Sequence, residues 1–535
     1  QWILSLYERS LTWVLRHPAP MLLVLLITIG VNVYLLVIVP KGFFPQQDTG
    51  RLAGGIQGAQ DSSFAAMRQR MARFVDIVKA DPGVANVVAF TGSGGGTTTN
   101  TGRMFISLKP LDGRKVSADE IIRRLRRQLA TVEGASIFLQ ATQDLRVGGR
   151  GGNAQYQYTI QSENLDDLVK WGPMLLQELR KVPVVTDVNS DQQNSGLQAS
   201  LDYDRATAQR LGITPQDIDA TLYDAFGQRQ VSTMFTQLNQ YHVVMEVEPR
   251  YWQSLEGLKE IYLHSSSGGV VPLSAVAHYA PATAPLAVNH QGQFPAVTFS
   301  FNLAPGVALS DAVQAINQTE QSIGMPATIH GSFAGTAQAF QTSLASEPFL
   351  IVAALLAVYI VLGILYESYI HPITILSTLP SAGVGAVLAL LVTHMDLSLI
   401  ALIGIILLIG IVKKNAIMMI DFALAAERGE GKSSRDAIFQ ACMLRFRPIM
   451  MTTMAALLGA LPLALGVGTG SELRRPLGIS IIGGLLVSQM LTLFTTPVVY
   501  LYLDRIKPRI IRIPGPDKNR SEFLSVRSVA NNRDA

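Results

Sequence analysis

LLIGIVKKNAIMMIDF, residues 407–422, reads as the middle of a membrane helix, yet it carries two adjacent lysines and an aspartate. A charged side chain at the bilayer centre costs at least about 3 kcal/mol, so these residues need a reason. The apolar run ahead of them, Leu399–Val412, is too short to cross a bilayer core, which takes about 20 residues. Only a helix that continues through Lys413 and Lys414 to about Ala423 is long enough, which puts both lysines well inside the hydrocarbon. Lys414 and Asp421 are two turns apart on one face, about 10 Å along the axis, and Lys413 is turned about 100° away. Asn415, next to Lys414, both donates and accepts hydrogen bonds. The plain reading makes the lysines snorkel to the headgroups and Asp421 an interfacial or capping group. The sharper one turns Lys414 toward a bundle interior, neutralised by a carboxylate whose protonation changes.

That carboxylate is not in the other apolar runs. Glu367 ends one of them and Asp396 lies in a short loop. Thr452, Thr453 and Arg445 add hydroxyls and a further cation near the same region. The chain therefore offers cationic and hydroxyl partners, and the acid is expected from another polypeptide or from a missing half of this one.

Composition sets the frame. Of 535 residues, 48% are hydrophobic and 15% charged, too apolar for an ordinary soluble chain and too mixed for membrane helices alone. The formal net charge of +4 is spread without a long basic run, which argues against a nucleic-acid partner. A single cysteine, Cys442, excludes an internal disulfide and leaves no thiolate cluster for a metal. No motif for a cofactor and no nucleophile–base set stands out, so an enzyme is disfavoured. The chain opens on Gln1 without a signal-peptide cleavage pattern, and is expected to be a fragment or a processed product.

Runs of membrane length lie at Met21–Val39, Phe349–Tyr366, Ile373–Val392, Leu399–Ala423, Ile449–Val467 and Leu477–Leu501. Pro497 predicts a kink or early end in the last. Arg9 and Arg16, the basic loop from Arg428 to Arg447, and Arg505 to Arg509 fall on one side if all six cross; Arg474 and Arg475 are the local exception. That side is the cytoplasm by the positive-inside rule. The long block between the first two runs then lies across the membrane, in the periplasm of a bacterium.

Periodicity in that block predicts strand 51–57, helix 62–79, strand 84–90, strand 103–108, a helix 117–131 opening at Ser117, and strand 136–140. This βαββαβ order is the ferredoxin-like unit. A second βαβ follows as YQYTI, helix 164–181 and VVTDVN; its other half comes about 100 residues later as AVTFSFNL, helix 309–322 and ATIHG. The simplest account inserts a further domain, residues 192–283, at the centre of the second unit. It holds AFGQRQVSTMFTQLNQYHVVMEVEP, read as a hairpin. Residues 506–535 are polar and aperiodic, and are expected to be a disordered cytoplasmic tail.

GIVKKNAIMMIDFALAAERG and LRFRPIMMTTMAALLGALPLALGVGTG resemble the last membrane helices of the resistance-nodulation-division (RND) drug-efflux transporters of Gram-negative bacteria. YESYIHPITILSTLPSAGVGA and KGFFPQQDTG match the turn between two helices and the approach to the periplasmic porter domain, so the resemblance covers about residues 1–505. FGQRQVST and the lysine segment point to the Mdt/Mux subgroup, nearer its MdtB/MuxB type, whose pumps use two related subunits.

The resemblance implies the C-terminal half of a multidrug transporter, multi-pass in the inner membrane. Its fold would be six transmembrane helices plus a large α+β periplasmic region of two ferredoxin-like porter subdomains and an inserted docking subdomain. Residues 1–20 would be a cytoplasmic amphipathic segment and 21–39 the first transmembrane helix. The porter subdomains would span 40–150 and 151–191 with 284–335, the docking subdomain 192–283, and the other five helices 336–505. Implied partners are a periplasmic adaptor (membrane fusion) protein, an outer-membrane channel, homologous subunits in a homo- or heterotrimer, and an N-terminal half carrying the relay aspartates. The activity would be drug/proton antiport driven by the proton-motive force, contributing to antibiotic resistance, with no cofactor.

In the family pattern Lys414, Asn415, Arg445 and Thr452 match proton-relay positions. Phe105, Tyr156, Tyr158 and Ile160 match substrate-pocket positions, though core packing explains an alternating strand equally well. TGSGGGTTTNTG, residues 91–102, matches the loop between two drug pockets; Gly92 and Gly94 stand where phenylalanines are familiar, Val87 replaces a third aromatic, and Asn189 a basic residue. A phosphate-binding loop is a poor alternative there, since no GK[ST] follows. Two rival readings remain: a protein-export auxiliary of the Sec type, disfavoured by the doubled βαββαβ units, and a non-transporting subunit supporting an active partner. Heavy-metal export is disfavoured because the sixteen methionines form no cluster beyond MM pairs.

Overall fold

The computed structural model describes residues 2–92, 98–149, 151–466 and 468–506. Gly94 and the tail beyond 506 lie outside them. The chain divides into two compact units. The first is built from the segments up to Gln47 and from Phe340 onward, with Ala308–Ser310; the second is Asp48–Val307 with Asp311–Ala339.

In the first unit six helical segments are long and apolar enough to cross a membrane: Pro18–Ile38, Thr336–Tyr366, Ile370–Val392, Leu399–Glu430, Ser434–Leu465 and Ser471–Arg505. They are called the first to sixth membrane helices below. Each overlaps one of the apolar runs; the first stops at Ile38, one residue short of its run, the fifth helix ends at Leu465 inside its run, and the fourth and sixth outrun theirs. The fourth ends only where Gly431 turns into the left-handed region, φ 65°, a conformation glycine adopts without steric cost. Asp421 is therefore mid-helix, more than two turns from the end, and not a cap. The sixth helix passes Pro497 and continues to Ile506, so the early end does not occur. One missing N–H is tolerated where neighbouring helices enclose the backbone.

Lipid tails give helices no hydrophobic reason to associate, so close approach of backbones does much of the packing. The third and sixth helices meet at Gly385 and Gly483, where a Cβ on Gly385 would fall 2.4 Å from the Gly483 carbonyl oxygen. A short helix, Trp2–Arg16, precedes the first membrane helix and buries Tyr7, Leu11, Val14 and Leu15. The Tyr7 ring stacks on Phe446 at 4.6 Å, and its hydroxyl donates to the Leu493 carbonyl at 3.1 Å.

The second unit carries the strands. These are β1 (Arg51–Gly58), β2 (Val84–Thr91), β3 (Thr101–Leu108), β4 (Ala135–Ala141), β5 (Tyr156–Ser162), β6 (Val185–Ser190), β7 (Gly196–Tyr203), β8 (Arg229–Phe235), β9 (Gln240–Met245), β10 (Tyr262–His264), β11 (Val270–Pro272), β12 (Ala277–Ala284), β13 (His290–Gln291), β14 (Phe294–Leu303) and β15 (Ile329–Ala334). The first sheet is antiparallel with order β2-β3-β1-β4. Helices Phe64–Lys79 and Ala118–Leu129 cover one of its faces, burying Met67, Phe74, Ile121 and Leu125 against Leu52, Ile56, Met104 and Ile106. Ser63 and Ser117 cap those helices, accepting from the N–H groups of Ala66 and Glu120.

The second sheet repeats that strand order across an interruption: β14 pairs with β6 and β5, and β5 with β15, all antiparallel. Helix Leu165–Lys181 precedes β6, and helix Leu309–Ser322 precedes β15. Between β6 and β14 the chain makes the β7–β12 ladder, the β8–β9 hairpin and the short β10–β11 pair. These enclose a small core around Ile218, Leu263 and Leu273.

Candidate functional site

Two places gather chemistry, one in each unit. In the membrane unit the fourth and fifth helices run antiparallel and meet at two rungs. At the first, Asn415, only 6% exposed, donates from Nδ2 to Thr453 Oγ1 and to Gln489 Oε1, each at 3.3 Å. Thr453 in turn donates to Gln489 Oε1 at 2.8 Å, closing a three-residue network over three helices. At the second rung the Arg445 guanidinium lies 3.5 Å from the centroid of the Phe422 ring. Its Nε is buried and has no hydrogen-bond partner among the described residues, so the ring face is the group that balances this cation. The rungs are about 12 Å apart along the axis.

Lys414 takes the opposite orientation to Asn415. It is exposed on the surface of the unit and takes no part in the network its neighbour makes among the described residues. Lys413 is half-buried. Thr452 donates to the carbonyl of Ile449 on its own helix at 3.1 Å, while Thr453, one residue on, enters the network. Of the four expected relay residues, then, Asn415 is tied inward, Arg445 sits on an aromatic ring, Lys414 faces outward and Thr452 bonds locally. Gln489 was missed. Its signal was present, the single amide in ISIIGGLLVSQMLTLF, but a scan for carboxylates passes over it.

In the second unit a cavity of about 1080 Å³ opens between the two large sheets. Its first wall is the uncovered face of the first sheet, with Phe90 and Phe105 edge to face at 6.4 Å and Phe64 nearby. The opposing wall is polar, with Gln157, Thr298 and Ser300 from β5 and β14. Phe105, Gly92 and Asn189 line it. Gly92 has φ 122°, where an L side chain is strained, and a Cβ there would lie 3.2 Å from the Phe64 ring.

The other expected pocket residues are elsewhere. Tyr156, Tyr158 and Ile160 are 3%, 1% and 0% exposed and pack inside the second sheet, Tyr156 on Phe301 and Tyr158 on Phe333. Burial, and then the Glu320 carboxylate, push the Tyr158 hydroxyl above its ordinary range. The alternating face with the aromatics is the core face, and Gln157, on the other face, reaches the cavity. Val87 packs against the helices under the first sheet, while Val88 is on the open face, 52% exposed. The side chains of Tyr156, Tyr158, Ile160 and Val87 are packed in the cores of their sheets and do not line the cavity.

Helices of this number and polarity, together with a large β-rich portion, define a multi-pass membrane protein. The profile of the AcrB/AcrD/AcrF family matches residues 1–504, and the chain belongs to that family. It is 58% identical over 511 residues to the multidrug resistance protein MdtC of Cronobacter sakazakii, covering 96% of this chain and 49% of that protein. It is 59% identical over 506 residues to MdtC of Serratia proteamaculans, covering 95% and 49%. The Mdt side of the expected subgroup is thus supported, with relatives of the MdtC name and not the MdtB/MuxB type. A solved heavy metal efflux pump has the same fold, with TM-score 0.83, 22% identity, and coverage of 94% of this chain and 53% of that one. The chain spans about half the length of the curated relatives it matches. It is an inner-membrane protein of the AcrB type.

Proposed function

We propose that this chain is the C-terminal half of a proton-driven multidrug efflux transporter, acting as the inner-membrane subunit of a tripartite pump. The observation that carries the reading is the orientation of Lys414. A cation inside a membrane helix faces out of its own bundle, while the neighbouring Asn415 is locked inward. Such a cation calls for a carboxylate on an apposed surface, and an N-terminal half with paired aspartates supplies one. Removing one partner of a buried ion pair costs about 3–5 kcal/mol, so protonating the acid is enough to release Lys414 and shift helices. The unbroken Thr336–Tyr366 helix is the covalent route from that shift to the strand-bearing unit.

In this reading the two βαββαβ units are ferredoxin-like porter subdomains, the segment between β6 and β14 is the docking subdomain, and the subunit is of the MdtC type. The cavity lined by Phe105 and Gly92 receives amphiphilic drugs. Trimer partners, a periplasmic adaptor and an outer-membrane channel complete the pump. Lys414→Ala in the complete transporter is expected to abolish efflux of a fluorescent drug while expression and trimer assembly stay intact. Wild-type efflux by that variant would dispose of the relay.

A further inference from the structure

We propose that Arg103 is the headgroup anchor of the cavity and selects amphiphiles with an anionic head, such as a sulfate or carboxylate. This rests on the reading of the cavity as a substrate site. An exposed arginine on a sheet is ordinarily a solvated surface cation. Here its surroundings differ in three respects.

First, the charged side chains lining the cavity, among the described residues, are Arg103 and Asp191, and they are not equivalent. Asp191 is committed to its own wall: Oδ1 accepts the Thr298 N–H at 2.7 Å, and Oδ2 accepts from Asn289 at 2.9 Å. Arg103 makes no ion pair or hydrogen bond among the described residues. The guanidinium fork is therefore the group with donors left over, and a planar fork matches an anion's oxygens two at a time.

Second, Arg103 shares an alternating face of β3 with Phe105 and pairs in register with Phe90 on β2. A cation at one end and two tilted rings beside it form the complement of a molecule with a charged head and an apolar body. Third, the opposite side is pared down to admit it. Gly151 stands where a Cβ would lie 3.2 Å from the Arg103 guanidinium, and at Gly152 a Cβ would fall 2.5 Å from Gln157 Nε2 and 2.7 Å from Ser300 Oγ. The rest of the lining is uncharged amide and hydroxyl, able to donate to an anion's oxygens, and the one carboxylate there among the described residues, Asp191, is held by the Thr298 N–H and the Asn289 amide.

The test uses dodecyl sulfate and dodecyltrimethylammonium, which share an apolar tail and differ in the sign of the head. Protection of pump-deficient cells by the complete transporter is compared for Arg103→Gln, Arg103→Lys and Phe105→Ala, with expression levels matched. Arg103→Gln is expected to lower the ratio of sulfate to ammonium protection about tenfold, the size of one charge-assisted hydrogen bond. Arg103→Lys is expected to restore part of it. If Phe105→Ala weakens protection against both detergents while Arg103→Gln leaves the ratio unchanged, the anchor is wrong and the cavity reading stands. If Phe105→Ala changes neither, the cavity is not the substrate site and both fall.

Discussion

The guanidinium of Arg445 lies 3.5 Å over the ring of Phe422, one helix supplying the cation and its antiparallel neighbour the aromatic face. Within the membrane unit this contact does for Arg445 what a carboxylate does elsewhere. A desolvated cation–π contact is worth about 2 kcal/mol. Phe422→Leu is therefore expected to free the guanidinium and slow drug efflux by the complete transporter several-fold, with Phe422→Trp close to wild type. Initial rates in energised vesicles measure it. Equal rates for the leucine and tryptophan variants would show that only the volume at 422 matters.

Gln489 Oε1 accepts from both Asn415 and Thr453, so its loss affects two donors together. Gln489→Leu is expected to destabilise the detergent-purified protein by about 1 kcal/mol, the scale of hydrogen bonds between membrane helices. Thr453→Val and the double variant close a thermodynamic cycle, in which a shared network gives a coupling beyond the sum of the single changes. Strict additivity would mean that the three side chains act separately.

Asp48 stands before β1 and reaches helix Ala118–Leu129, accepting from Arg114 at 2.5 Å and from the Ala118 and Gly50 N–H groups. Burial pushes its carboxyl up, but the hydrogen bonds from Arg114, Ala118 and Gly50 outweigh it and hold the group below the usual carboxylate range. A pKa lower in the folded than in the unfolded chain stabilises above the unfolded value, and the benefit is lost as pH falls through the folded one. Asp48→Asn is expected to cost about 2 kcal/mol at pH 7, the deficit shrinking below about pH 4. Thermal unfolding of wild type and variant across that range checks it. A deficit independent of pH would assign the loss to shape and not to charge.

Where the sequence sufficed, a one-dimensional pattern answers to one physical demand. A bilayer core requires about 20 apolar residues, so the six runs could be read directly, and a helix overlaps each of them. Ser117 was expected to open its helix, and it caps it, because a helix leaves N–H groups for such side chains to accept from; Ser63 caps a helix that was expected to begin at 62. Lys413 and Lys414 were already set apart by about 100° of helix, but the sequence placed Asn415 only beside Lys414 and turned Lys414 toward a bundle interior, whereas its side chain is exposed.

Which way those residues turn depended on neighbours far along the chain. Asn415 is inward because Thr453 and Gln489 meet it there, and no local spacing distinguishes Thr453 from Thr452. The same holds for β5. Alternation separates Tyr156, Tyr158 and Ile160 from Gln157 and Thr159, but both faces of that strand are buried, so polarity could not say which one borders a cavity. The sequence determined that this chain crosses a membrane and carries charge where lipid penalises it. Tertiary packing alone decided which polar groups meet, because hydrogen bonds and cavity walls form between segments that the sequence keeps apart.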